Sequence, residues 1–562
     1  MHAPLADEPG PVTIYGPDFP FAYDDWLQHP AGLGALPKQA HGASVAVVGA
    51  GLAGMVAAYE LMELGLRPVV YEPARIGGRL RTHHFDGTGS DGSPDGLIAE
   101  LGGMRFPISG RGFFHYLDRL GLQTQPFPNP LTPAAGSTVI DIAGKTHYGR
   151  TLADLPPEYA EIAAAWDTAL EEIGFTEIQD AIRARDTALL KKLWDDLVPV
   201  WDGRTFYDFL AGSKAFSDLP FRYREIFGLV GFGTGGWDSD FPNSMLEILR
   251  VVLTNCDSDQ QLVVGGVDQL PRGLWTLPVS ERSPWPAGTT LASLHGGVPR
   301  PAVSGLARAA DGRFEVRDRW GTTRQHDAVV ATCQSWLLTT QIDCEESLFS
   351  QDLWMALDRT RYMQSSKTFV MVDEPFWTRT DPETGRDLMS MTLTDRLTRG
   401  TYLFDNGPGK PAVICLSYSW MSDALKMLPY DVDRRVQLCL DALGKIYPGL
   451  DIAGHVIGEP VTISWEDDPD FLGAFKGALP GHYRYNHRMY THFMQRDLPA
   501  GERGIFLAGD DVSFTPAWAE GAVQTALNAV WGVLNHFGGA SHADNPGPGD
   551  RYDELAPIPL DD

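Results

Sequence analysis

The sequence predicts an α/β protein in which a Rossmann-like dinucleotide-binding domain is joined to a mixed-sheet α+β domain and carries a helical insertion. Three observations predict it. Residues 44–73, SVAVVGAGLAGMVAAYELMELGLRPVVYEP, read as strand, glycine turn, helix and strand, which is one βαβ unit. From about residue 155 to 232 the apolar residues recur at helical spacing, as in PPEYAEIAAAWDTALEEI. Late in the chain, GIFLAGDDVSFTPAWAEGAVQTALNAVWGVLNHFG reads as a buried strand, a loop and a closing helix.

A chain of 562 residues exceeds what one hydrophobic core usually supports. The expected divisions are an N-terminal arm over 1–40, a discontinuous dinucleotide-binding domain from 41–115, 260–335 and 500–540, a helical domain over 116–259, a second domain over 336–499 and a tail over 541–562. Short alternating runs punctuated by Asp311-Gly312 and Gly321 predict a small meander before DAVVATC. A net charge of −28 speaks against nucleic acid and anionic membrane as partners and favours a cationic small molecule. The five cysteines are scattered without a CxxC pair, which predicts reduced thiols and no metal site. The N-terminus lacks a basic start and an apolar run, so the expected location is cytoplasmic, with no membrane anchor.

Gly49-x-Gly51-x-x-Gly54 follows the apolar strand directly and opens a helix, the context in which this pattern binds a dinucleotide. The glycines serve the tight turn, the approach of backbone N–H groups to a pyrophosphate, and close helix-to-strand packing. Glu72 ends the second strand about 20 residues on, where a carboxylate accepts from a ribose diol. The alternative is a glycine-rich turn with no ligand. Gly77-Gly78-Arg79 comes next; its glycines admit backbone to a phosphate, and Arg79 is suited to neutralising one.

This GGR turn resembles the hallmark of the flavin amine oxidase family. The resemblance continues through Glu100-Leu101-Gly102-Gly103-Met104-Arg105-Phe106, Val264-Gly265-Gly266, Trp465, Gly473-Ala474-Phe475, Ala508-Gly509-Asp510-Asp511 and Glu520-Gly521-Ala522, in the family's order. It implies FAD as cofactor, with Gly49, Gly51, Gly54, Glu72, Gly78, Arg79, Gly103, Met104, Arg105, Gly509, Asp510 and Ala522 around it. Asp510 is then the contact to the ribityl chain, and the closing helix turns its N-terminus to the flavin.

Within that resemblance Arg105 occupies the position at which a guanidinium clamps an amino-acid carboxylate, a group that amines lack. The alternative is an ordinary ion-pair arginine. Tyr418 and Trp420, two apart in ICLSYSWMSD, are candidates to complete the carboxylate pocket, or are core packing on one strand face. Phe475 and Trp518 correspond to the aromatic pair that flanks the flavin and pinches the substrate, with plain core aromatics as the alternative. Lys367 resembles the family's lysine near the flavin N5, where a cation assists oxygen reduction; otherwise it is a solvated strand lysine.

The loop 235–242, GGWDSDFP, precedes a helix with its own expected capping box, Ser244 to Glu247, so neither Asp238 nor Asp240 is needed as the cap. The segment resembles the bacterial L-lysine oxidase/monooxygenase group, relatives of tryptophan 2-monooxygenase. That likeness implies Asp240 at the distal ammonium of lysine and Cys256 near the pocket, against a bland reading of both acids as turn formers. The implied substrates are a free L-amino acid, lysine first and arginine or tryptophan as alternatives, and dioxygen. The implied products are 5-aminopentanamide, CO2 and water, or an oxo acid, ammonia and peroxide. Such relatives are commonly homodimers.

Overall fold

In the computed structural model, residues 12, 16–85, 96–231 and 241–560 are described. The βαβ unit forms as its pattern requires. Strands Ser44–Val48 and Arg67–Tyr71 pair in parallel, with Val45 opposite Pro68 and Val48 opposite Tyr71. Two distant segments complete a four-stranded parallel sheet: Ala328–Ala331 beside the first strand, and Ile505–Leu507 outside it. Helix Leu52–Glu63 is buried from Leu52 to Met62 and packs on the closing helix Ala519–His536, itself buried from Glu520 to Leu534. Helices covered on every side show little amphipathic period, which matches their near-continuous apolar sequence.

The expected meander is present. Strands Val303–Arg308, Phe314–Asp318 and Thr323–His326 pair antiparallel, and the first hairpin turns at Asp311-Gly312. The second large sheet has seven strands and is mixed. Ser365–Val372 lies between Val456–Ser464 and Ala412–Trp420, all antiparallel; Gly400–Phe404 and Met391–Thr394 continue the sheet.

The last two strands of this sheet, Thr138–Ile142 and Lys145–Gly149, come from the stretch expected to be helical. Thr124–Pro126, in a three-stranded sheet with Gln260–Val263 and Phe106–Pro107, also lies in it. The reason for the difference is local. Ala143 and Gly144 both take positive φ, 52° and 74°, so a two-residue turn of the type that matches strand twist folds TVIDI onto KTHYG. Helices then run from Pro157–Glu171 to Phe221–Val230.

The arm packs over the body. Tyr23 Oη donates to Asn528 Oδ1 on the closing helix (2.7 Å), and Asp18 reaches Arg250. The tail covers the arm in turn, with Asn545 Nδ2 donating to the carbonyls of Trp26 and Gly32. The five cysteines form no disulfide. Among the described residues no helix is long and apolar enough to cross a membrane, and no cluster of three metal-ligating side chains occurs.

Candidate active site

One long cavity runs from the parallel sheet to the seven-stranded sheet, and most of the motif residues line it. At its first end, Gly54 sits so close to the preceding turn that a Cβ there would lie 2.0 Å from Gly49 O. Helix and strand can meet at that distance only through glycine. Gly78, at φ 57°, faces Gly51 so closely that its Cβ would stand 2.9 Å from Gly51 Cα. Two bare backbones therefore border the cavity. Helix Leu52–Glu63 begins at Gly51 with no side chain capping it, and Leu52 and Ala53 line the cavity. Uncapped first-turn N–H groups and the helix dipole form an anion site.

Glu72 lines the same end. Its Oε2 accepts from Ala50 N (2.9 Å), and its Oε1 accepts from the N–H groups of Ala74 and Arg75 (3.2 Å each). Burial raises its pKa, against the lowering pull of those three bonds. Arg79 does something its motif did not announce. Its guanidinium forks onto Asp510, one arm at 3.1 Å to Oδ2 and the other onto Oδ1, and it donates to Ala474 O at 2.9 Å. Burial works against the charge, but Asp510 and Asp511 outweigh it and leave the guanidinium more basic than usual. The GGR turn is thus tied to the last strand's loop. Asp511 holds a different junction, accepting from Ser335 Oγ at 2.7 Å and from Tyr362.

Gly102, Gly103 and Met104 line the cavity from one side, and Gly509, Trp518, Ala519 and Ala522 from another. Trp518 is the N-cap residue of the closing helix, which also lacks a side-chain cap. Gln334 adds a buried amide whose Oε1 has no partner among the described residues. Two uncapped helix N-termini, a terminal carboxylate and a bare-backbone cradle fit a group carrying both a pyrophosphate and a polyol chain.

At the other end Arg105 stands in an aromatic enclosure, with Cζ 5.6, 5.9 and 5.7 Å from the ring centroids of Phe127, Tyr402 and Tyr418. It makes no ion pair with a carboxylate among the described residues, unlike Arg79 or Arg250. Tyr418 and Trp420 share a strand face and meet edge to face at 5.5 Å; Trp420 meets Phe475 the same way at 5.3 Å. These three rings form a continuous wall of the cavity. Burial raises the Tyr418 phenol's pKa while Arg105 pulls it down. Lys367 is 2% exposed, so it is no solvated strand lysine. Its Nζ donates to Glu100 O (3.0 Å) and Gly102 O, and burial lowers its pKa to about 8.

Asp240 and the loop before it lie outside the described residues. Cys256 is fully buried, with Sγ 3.2 Å from Thr254 Oγ1; its neighbours Val251 and Asp257 line the cavity and it does not. The expected capping box is only half formed. Ser244 caps through Leu246 N, but Glu247 turns its carboxylate to Ala478 N (2.6 Å) and Asn243 Nδ2 (2.7 Å) and lines the cavity. Glu247 was missed because a Glu three residues after a Ser carries the capping signal by itself; Asn243 and the buried Lys476, which also line the cavity, sit in no motif.

Residues 52–534 match the family described as flavin containing amine oxidoreductase. The chain belongs to that family. FAD, for which the cavity's donors and glycines fit, is the cofactor of this flavin-containing amine oxidoreductase. Tryptophan 2-monooxygenase of Pseudomonas savastanoi is 32% identical over 546 residues, covering 92% of this chain and 93% of that one. The flavin-dependent L-tryptophan oxidase RebO of Lentzea aerocolonigenes is 27% identical, over 86% and 97% of the two chains. Among solved structures, a putrescine oxidase redesigned for cofactor binding superposes with TM-score 0.65 at 17% identity, covering 88% of this chain and 99% of that one. Cyclohexylamine oxidase from Brevibacterium oxydans gives 0.63 at 16%, over 88% and 100%. At that identity these structures speak for the fold alone.

Proposed function

We propose that this amine oxidoreductase oxidises a free L-amino acid, L-lysine first among candidates, and acts chiefly as its 2-monooxygenase. The observation that carries the reading is Arg105, a cavity-lining guanidinium ringed by aromatics and without a carboxylate of its own among the described residues. A fork of N–H donors in a desolvated site is matched by an α-carboxylate and wasted on a simple amine.

Bound FAD supplies the two-electron acceptor for the α-carbon hydride and the route of those electrons to dioxygen. The chain's own residues do the rest. Arg105 fixes the carboxylate, and the wall Tyr418–Trp420–Phe475 with Trp518 excludes water and limits the poses of the α carbon. Lys367 holds a proton at Nζ beside Gly102, where a cation favours reduction of oxygen. Asp240 takes the side-chain ammonium. If the imino acid stays enclosed, oxygenation with loss of CO2 gives 5-aminopentanamide and water; if it escapes, hydrolysis gives the 2-oxo acid and ammonia, with hydrogen peroxide from oxygen.

A second reading is favoured by the relatives: a 2-monooxygenase or oxidase of tryptophan, since both named enzymes act on it. Product analysis under air separates the two. With L-lysine and L-tryptophan in parallel, amide, oxo acid and peroxide are counted together; amide from lysine supports the first reading, and turnover of tryptophan alone replaces it with the second.

A further inference from the structure

One wall of the cavity does work that the cofactor and the carboxylate clamp leave unexplained. Helix Met245–Leu253 and the residues flanking it present Asn243, Glu247 and Val251, four apart, to the cavity. Glu247 is 8% exposed and Asn243 3%. Two hydrogen bonds, from Ala478 N and Asn243 Nδ2, use only part of the carboxylate's capacity to accept. The amide of Asn243 is oriented by that bond, because turning it over would set its oxygen against the carboxylate. Its Oδ1 is consequently left buried with no partner among the described residues. An orphaned acceptor in such a place is unfavourable unless a donor arrives.

The neighbouring cations are already engaged. Arg250 forks onto Asp18 at 2.7 and 2.8 Å. Lys476 donates to the carbonyls of Asp511 (2.6 Å) and Ser513 (3.3 Å), which tie it to the loop before the closing helix. Burial holds the Glu247 carboxyl above the usual carboxylate range even though the charges of Lys476 and Arg250 and its hydrogen bonds pull it down, so a further cation beside it would be welcomed.

We propose that Glu247, together with the unpaired Asn243 carbonyl, is a second specificity-determining site, in addition to the role proposed for Asp240, for the N–H-bearing cationic end of the substrate's side chain, an alkylammonium or guanidinium. The proposal rests on the reading of the chain as an amino-acid oxidase. A charged hydrogen bond of roughly 1.5–3 kcal/mol converts to about 10- to 100-fold in selectivity.

The test is the ratio of kcat/KM for L-lysine to that for L-norleucine, which lacks only the terminal amine, measured on the FAD-loaded protein. Glu247→Gln lowers the ratio by about 10- to 100-fold, and Glu247→Asp restores most of it. A purely structural role would depress both substrates alike and leave the ratio where it was, which overturns the proposal. Should Glu247→Gln fail to yield yellow protein, Asn243→Ala reads the same quantity, with an expected fall of about threefold to tenfold and no fall as the contrary result. If the unmutated enzyme oxidises neither amino acid, the lysine reading itself fails and the proposal with it; if it oxidises both and every variant keeps its ratio, only the role of Glu247 fails.

Discussion

Lys367 and Arg105 stand against one ring: Nζ of the first is 4.7 Å and Cζ of the second 5.7 Å from the centroid of Tyr418. Two cations converge on one tyrosine: buried Lys367 is also held by main-chain carbonyls, and half-buried Arg105 has aromatic faces around it. The two are held differently: Arg105 makes no ion pair with a carboxylate among the described residues, whereas Lys367 donates to the Glu100 and Gly102 carbonyls.

Arg105→Met removes the proposed carboxylate partner while leaving the glycine turns, Glu72 and the Arg79–Asp510 pair in place. The expected outcome is a loss of kcat/KM on the order of several hundredfold or more with the flavin spectrum retained, from two charge-assisted bonds of roughly 1.5–3 kcal/mol each. Steady-state kinetics with the visible spectrum of each preparation checks it.

Lys367 titrates near pH 8, so its Nζ proton is lost as pH rises through that value. Reoxidation of the reduced enzyme by oxygen should therefore slow between about pH 7 and 9. Lys367→Met should be slower throughout, by about 10- to 1000-fold, and lack that pH dependence. Stopped-flow reoxidation at several pH values decides.

Asp510→Ala leaves Arg79, whose side chain is 23% exposed, without its carboxylate partner; breaking a fully buried pair costs about 3–5 kcal/mol, and this one should cost less. The melting temperature should fall and FAD should be released during purification. The double variant Arg79→Met with Asp510→Leu should recover part of the melting temperature, because no unpaired charge remains. Thermal denaturation of the three proteins at equal added FAD measures this.

Glu60 is buried and does not line the cavity, accepts from Tyr116 Oη at 2.9 Å, and is raised from 4.5 to about 7, chiefly by burial. Between those values the folded protein keeps a proton that the unfolded chain has released. The stability this group contributes is present below pH 4.5 and lost as pH rises through about 7. Glu60→Gln escapes the loss, so its melting temperature relative to the unmutated protein should climb from pH 5 to pH 8. A constant difference would contradict the assignment.

The parts legible in the sequence were those that a local pattern specifies. Strand, turn and helix over 44–73 follow from continuous apolar runs broken by glycines, and Glu72 falls where the second strand must end. The hairpin of Thr138–Ile142 and Lys145–Gly149 was hidden because its turn, Ala143-Gly144, lacks the usual Asn or Asp. Arg105's enclosure was hidden for another reason: Phe127 and Tyr402 reach it only through tertiary contact, and nothing in their own neighbourhoods marks them. Glu247 shows how one signal masks another. The spacing that caps a helix also suits a cavity wall, and only the placement of Ala478 N and Asn243 shows which use prevails.

The central claim is that this site reads an α-carboxylate, and anaerobic reduction of the flavin by L-lysine and by cadaverine, its decarboxylated counterpart, tests it most directly. L-lysine should bleach the flavin fully, and cadaverine at equal concentration should leave it yellow over the same interval. Equal bleaching by the diamine would mean that Arg105 does not select the substrate, and the account would fall.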